Sequence, residues 1–364
     1  MASARPKIAG ITPSGNHDYA LMMQAGIGWL RWGLGFPFGE RPGEVSERFR
    51  RRLREARRLR RMGFGLLGGT FGPGSCRYDP ARRDTVWRSG IPAWAGEPGS
   101  ESYFAVVENA ARAVGAACRG VVDLWQIANE PDIDIFRGAL TQEQVARFLT
   151  ASARGIKAGS PGSRPGINIG ELSPYAVELI ERTYLVKDSP FDYIGLDGYF
   201  GSWQPGGPWS WKSYIDDAAA LTGRPVLINE WGYSSLGSAP PSEDLRRTRH
   251  YNQGVCRSRT WPRVWRAEHS PREQADYVRQ AKRLFLEHPR VIGDFFFKWS
   301  DDPACWQCGQ AECPAECAWG LVDVNGVPKP AWHALAACQG GLPDVRTREL
   351  YFKRRLTGAH GSVG

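Results

Sequence analysis

The chain has 364 residues, 42% of them hydrophobic and 12% aromatic, and its 47 basic and 38 acidic side chains leave a net charge of +9. That is ample material for a packed core, arranged either as two domains or as one large α/β barrel. No stretch approaches the roughly 20 consecutive apolar residues of a membrane span, which excludes a helical membrane protein. The positive charge is concentrated, with nine arginines in residues 48–61. Phe49, Leu53, Ala56 and Leu59 recur among them at helical spacing. The arginines therefore read as the solvent side of an amphipathic helix, and neither nucleic acid nor membrane is an expected partner. Met1 to Lys7 contain no apolar signal run, so the expected compartment is the cytoplasm, or the exterior for a mature secreted form.

Strand-like and helix-like stretches alternate along the chain. Lys7–Thr12 reads as a strand, followed by a helix near Asp18–Ala25. Gly28–Gly33 is a second strand and Val45–Met62 the arginine-rich helix. Phe64–Gly69 is a third, followed by a long loop over 70–99 and a helix at about Glu101–Cys118. The fourth strand, Val121–Ala128, is apolar, aromatic or β-branched and too short for a helix. A helix is predicted at Gln142–Lys157, a strand at Ile167–Gly170, a helix at about Tyr175–Tyr184 and a sixth strand at Asp192–Tyr199. A helix near Ser210–Leu221 precedes the seventh strand, which ends at Glu230. After a loop over 231–269, Ser270-Pro271 opens a helix to His288 as cap and first-turn proline. Val291–Trp299 is the eighth strand, and the last helix lies at about Ala331–Cys338.

Eight strand–helix units predict a single closed (β/α)8 TIM barrel over residues 1–342, with 343–364 as a basic peripheral tail. An open doubly wound sheet is the alternative, but Thr12-Pro-Ser-Gly-Asn16 lacks the glycine-rich phosphate turn such a sheet carries after its first strand. The long loops follow strands 3, 6, 7 and 8. They gather at one mouth of the barrel, where barrel enzymes place their sites.

Two glutamates share that mouth. Val121 to Ala128 runs into Asn129-Glu130-Pro131, and Pro225 to Ile228 runs into Asn229-Glu230-Trp231. Each Glu ends an apolar strand and follows an Asn, so paired-carboxylate chemistry is the expectation. Trp125-Gln-Ile-Ala-Asn-Glu-Pro131 and Ile228-Asn-Glu-Trp-Gly232 resemble the acid/base and nucleophile strands of the retaining glycoside hydrolases of clan A, the (β/α)8 group with catalytic glutamates on strands 4 and 7. The resemblance covers about residues 7–338.

It implies a hydrolase of O-glycosidic, β-type linkages in an oligo- or polysaccharide, working without a cofactor through a glycosyl-enzyme intermediate. Glu230 would be the nucleophile and Glu130 the acid/base. Gly28-Trp-Leu-Arg-Trp32 resembles the second strand of the group and implies that Arg31 steadies the nucleophile. Ile194-Gly-Leu-Asp-Gly-Tyr199 resembles the sixth and makes Tyr199 the nucleophile's partner. Phe297-Lys-Trp299 resembles the eighth, where Trp299 would floor the subsite of the cleaved sugar. Asn129 is placed to donate to a sugar 2-OH, a contact that tightens in the transition state. Trp203 and Trp209, in a Gly/Pro-rich loop, offer rings for stacking, and His17 offers a contact to a hydroxyl. No metal is expected among these residues.

Cys305-x2-Cys308-x4-Cys313-x3-Cys317 follows the eighth strand and departs from the usual pattern of that group. Two short disulfides are the favoured reading and a zinc site the alternative, structural in either case. Two other functions compete: a sugar-binding barrel without catalysis, and an aldolase-like barrel with Lys298 as Schiff-base lysine.

Overall fold

The computed structural model describes residues 7–79, 84–239 and 251–340, so the expected tail at 343–364 lies outside the described residues. In chain order the strands are β1 (Ile8–Ile11), β2 (Trp29–Gly33), β3 (Gly65–Gly69), β4 (Gly74–Asp79), β5 (Asp84–Ser89), β6 (Leu124–Gln126), β7 (Arg164–Ile169), β8 (Tyr193–Gly198), β9 (Val226–Trp231) and β10 (Val291–Phe296). The helices are α1 (Tyr19–Gln24), α2 (Glu47–Arg61), α3 (Glu101–Ala117), α4 (Asp134–Arg137), α5 (Gln142–Gly159), α6 (Pro174–Tyr184), α7 (Ser210–Thr222), α8 (Tyr251–Ser258), α9 (Pro271–Glu287) and α10 (Pro330–Cys338). Eight strands close into a barrel in the order β1-β10-β9-β8-β7-β6-β3-β2. Every pairing around it is parallel. The (β/α)8 expectation is met.

Two loops hold more structure than their sequence suggested. The 70–99 stretch contains the antiparallel pair β4–β5, and the 231–269 stretch contains α8. Both are too polar and too rich in Gly and Pro for their periodicity to stand out. β6 is much shorter than the apolar run around it, because the backbone leaves the ladder before Ala128, which has a left-handed φ of 60°.

α2 behaves as its pattern required. Phe49, Ala56 and Leu59 are buried, and the arginines face outward, several paired with Glu47 or Glu55. Between α3 and α5 the backbones touch: a Cβ on Gly155 would stand 2.4 Å from the carbonyl oxygen of Glu108.

Alternation along the strands separates two cores. Outward side chains such as Leu30, Leu66, Trp125, Ile167, Ile194, Ile228 and Phe296 join the helices in one large cluster. Their neighbours Leu67, Leu124, Tyr193, Leu227 and Phe295, with Trp29 packed on them, form a separate cluster inside the barrel. Further along these strands and on β7, the inward positions turn polar: Arg31, Gln126, Asn168, Asp197 and Asn229. The barrel is therefore apolar at its base and polar at its mouth, as period-2 side-chain geometry requires.

On the outer face, Lys282 of α9 and Asp294 of β10 form a fully buried ion pair at 2.5 Å, and Trp231 Nε1 donates to the same carboxylate at 2.9 Å. Lys282→Met would leave that charge without its cation and is expected to cost about 3–5 kcal/mol, read as a lowered urea midpoint. An unchanged midpoint would show that the pair carries no such weight.

Candidate active site

The polar inward layer is one connected network centred on Arg31. Its Nη1 contacts Glu230 Oε1 at 2.5 Å, its Nε donates to Gln126 Oε1 at 2.8 Å, and its Nη2 donates to Asn129 Oδ1 at 2.6 Å. Asn229 Nδ2 donates to the same Gln126 oxygen at 2.9 Å, tying β9 to β6. Tyr199 donates its hydroxyl to the other oxygen of Glu230 at 2.5 Å. Asn168 Nδ2 donates to Asp197 at 2.6 Å and to Asn129 at 3.2 Å. Four strands besides β2 thus supply the partners that orient one carboxylate.

Glu130 reaches the same space by an unusual turn. Ala128 and Glu130 both have positive φ, 60° and 38°, a conformation that costs non-glycine residues on the order of 1–3 kcal/mol each and persists only where the surroundings hold it. Here the hold is explicit. Thr70 Oγ1 accepts from Ala128 N, Gln126 Nε2 donates to Ala128 O, and Asn168 Oδ1 accepts from Glu130 N. Gly170 makes room for the carboxyl, since a Cβ there would lie 2.8 Å from Glu130 Oε1. Asn129 Nδ2 donates to Glu130 at 3.4 Å, so Asn129 bridges Arg31 and Glu130.

The electrostatics separate the acids. Burial, then the negative charges of Glu230 and Asp132, push the Glu130 carboxyl well above its ordinary value, and Arg31 only partly offsets this. Asp197 is raised well above the usual range for the same reasons, burial first and the Glu230 charge second. Asp132, buried and accepting the N–H groups of Gly170 and Glu171, is pushed up to about 6, chiefly by burial. Burial and then Glu230 raise the Tyr199 phenol, which keeps its proton as a donor.

Glu130, Glu230, Asn129, Tyr199 and Trp203 border one cavity of about 530 Å³. Arg31, Asn129 and His17 border an adjoining one of about 500 Å³. Asn129 faces both, so the cleft continues across the barrel mouth. His17 Nδ1 lies 3.1 Å from the Tyr19 hydroxyl.

Two sequence expectations fail. Trp299 is fully buried in the outer core, with Nε1 donating to Asn16 O at 3.0 Å, and borders neither cavity. The eighth strand instead sends Phe297 to the cleft, because Trp299 N bonds to Thr12 O and carries that segment toward the first strand. Trp209 is 58% exposed beside Trp265 at the start of α7, outside both cavities. Lys298 also borders neither cavity; its ammonium is paired with Asp302, which leaves the Schiff-base reading without its lysine.

Gln126, Asn168, Asp197 and Glu171 were not singled out from sequence. The first three carry a readable signal, being polar residues two positions beyond an inward apolar or glycine position. Trp306, Glu316 and Trp319, from the loop after β10, also border the cavity. Burial pushes the Glu316 carboxyl up to about 8.

The cysteine expectation also needs correction. Cys118, Cys256, Cys305, Cys308, Cys313, Cys317 and Cys338 are all free of disulfides. Cys305, Cys308 and Cys313 do converge, but the fourth member is Cys256 of α8, and Cys317 turns away with its thiol toward Gln310 O. Local spacing singled out Cys317, whereas the chain path brings in a residue 49 positions before Cys305.

No protein-family model and no curated protein matches the chain. Among solved structures, xylanase 10B from Thermotoga maritima is similar over 94% of this chain and 97% of its own, with TM-score 0.61 and 16% identity. The Ignisphaera aggregans GH53 catalytic domain is similar over 90% and 91%, with TM-score 0.55 and 17% identity. A fungal β-1,4-galactanase structure is similar over 90% and 93%, with TM-score 0.58 and 15% identity. At such identities the likeness establishes a shared architecture: the chain has the (β/α)8 barrel fold that these carbohydrate-cleaving enzymes use.

Proposed function

We propose that the chain is a retaining glycoside hydrolase of clan A type that cleaves β-linked O-glycosides of an oligo- or polysaccharide. One observation carries this reading: in a single cleft, one carboxylate is gripped by a guanidinium and a phenol, while a second carboxyl without that ion pair is held well above its ordinary pKa. Double displacement requires that asymmetry, one anionic carboxylate to attack and one protonated carboxyl to donate. The xylanase and galactanase activities named for the barrel's structural neighbours agree with it.

In the proposed reaction, Glu230 attacks the anomeric carbon as Glu130 protonates the leaving oxygen. Arg31 and Tyr199 aim the attacking oxygen and hold its charge without changing position. Asn129, already fixed by Arg31, presents its amide toward the sugar 2-OH, and its contact strengthens as the ring flattens toward the oxocarbenium-like state. Glu130, now ionised, then takes a proton from water, which displaces Glu230 and restores both acids. Trp203, Trp306, Trp319 and Phe297 supply apolar and aromatic surface along the cleft, suited to sugar faces. The substrate is bound by the barrel within residues 1–342.

Glu230→Ala is expected to lower turnover of an aryl β-glycoside about 10⁴-fold or more. Azide should restore it and yield the α-glycosyl azide; rescue giving the β-product would reverse the two roles. Tyr199→Phe removes one hydrogen bond to a charged group and should slow the reaction about ten- to hundredfold, with the larger effect on kcat.

The pH profile follows from Glu130. Its raised pKa keeps the proton in place above the ordinary carboxylate value of about 4.3, so kcat/KM should fall only as pH rises through that higher value. Glu130→Ala, assayed with a leaving group that needs no protonation, should lose the alkaline limb. A limb that survives the substitution would assign the acid elsewhere.

A further inference from the structure

We propose that Cys256, Cys305, Cys308 and Cys313 form a tetrathiolate zinc site that fastens the loop after β10 to α8 and so sets one wall of the cleft. The four sulfurs all lie within 4.8 Å of one another, and Cys256 Sγ and Cys305 Sγ are 3.9 Å apart. A tetrahedral zinc with bonds of about 2.3 Å to sulfur requires edges of about 3.8 Å between its ligands. Disulfide sulfurs stand about 2.05 Å apart. The Cys256–Cys305 separation has the length of such an edge, and no other pair of the four is more than about 1 Å longer, so four cysteines converge where one metal ion could join them.

The local backbone fits the same purpose. Cys305-x2-Cys308 turns through Gly309, whose φ of 72° is left-handed and whose N–H bonds to Cys305 O at 2.7 Å. That tight turn brings two sulfurs of one short segment to the same side. Cys256, Cys305 and Cys313 are buried and Cys308 is partly so. The selection is specific, since Cys317 lies in the same loop and is left out.

The position also explains why such a site is useful. Between Phe296 and Pro330 there is neither helix nor strand, a length at which an unanchored loop is uncommon in a compact domain. The cysteines belong to a small core with Val255, Trp261, Ala315 and Trp319, on which Tyr199, Trp203 and Phe297 pack. Trp306, Glu316 and Trp319 of the same loop face the cleft. On binding, the four thiols release four protons and Zn²⁺ joins the four thiolates with a net charge of −2, without any redox change.

The test uses the full chain purified without chelator, with elemental analysis for metal content and cobalt(II) chloride added back after the native metal is stripped. One zinc per chain and a thiolate-to-cobalt charge-transfer band with tetrahedral d–d bands are expected. Cys256→Ser and Cys308→Ser should lose the zinc, whereas Cys317→Ser and Cys338→Ser should keep it. Because metal content and spectrum are read without substrate, the outcome is independent of glycosidase activity. Iron in place of zinc, a metal-free chain lighter by the four hydrogens of two disulfides, or cobalt uptake without the charge-transfer band would each overturn the proposal. So would full zinc retention in Cys256→Ser. If that variant does not fold, the metal content and cobalt spectrum of the unsubstituted chain still decide.

Discussion

Among the described residues, one guanidinium sits beside three acids, two of them buried and Glu130 half-buried, and the rest of the mouth is arranged around that imbalance. Arg31 contacts Glu230 directly, while Glu130 and Asp197 lie near enough to feel the same charges. One cation can neutralise one anion. At Glu130 and Asp197, burial and the neighbouring negative charges each outweigh the help that a shared Arg31 can give. The two acids without the short contact are therefore held well above the ordinary carboxylate range. The same arithmetic that makes the cluster tolerable in a folded protein makes its members chemically unequal, which is what a two-carboxylate reaction needs.

This inequality depends on geometry that no single element holds. Glu230 is oriented by Arg31 of β2 and by Tyr199 just beyond β8. Glu130 is turned inward by a left-handed backbone that the side chains of Thr70, Gln126 and Asn168 hold in place. The barrel supplies this through strand periodicity: on five of its strands the inward position nearest the mouth is polar, as at Arg31, Gln126, Asn168, Asp197 and Asn229. The apolar layer of Leu67, Leu124, Tyr193, Leu227 and Phe295 beneath it keeps those strands in register. Loops then add what the strands cannot. The segment after β10 brings Trp306, Glu316 and Trp319 to the cleft, and the convergence of its cysteines with Cys256 accounts for how so long a segment could keep them there.

The alternation of eight apolar strands with amphipathic helices was legible in the sequence, because burial imposes periods of 2 and 3.6 on any chain that folds this way. Glu130 and Glu230 stood out as glutamates that each follow an Asn at the end of an apolar stretch, whereas Arg31 and Tyr199 were named only through the resemblance of their segments to clan A strands. The arginine-rich helix was legible from its period, as four apolar residues at helical spacing left the charged ones a solvent face.

What the tertiary structure alone decided is contact between residues distant in the chain. Period and motif place a residue on a face; they do not say what stands opposite. Trp299 satisfied a motif, yet the bond of its backbone to Thr12 carries it into the outer core and leaves the cleft to Phe297. Cys317 satisfied a local spacing, yet the fourth sulfur of the cluster is Cys256, from a helix on another loop. Charge states belong to this second class as well. The residue types of Glu130 and Glu230 are identical, and it is the guanidinium of Arg31 and the phenol of Tyr199 on Glu230 that distinguish the nucleophile from the acid in the proposed reaction.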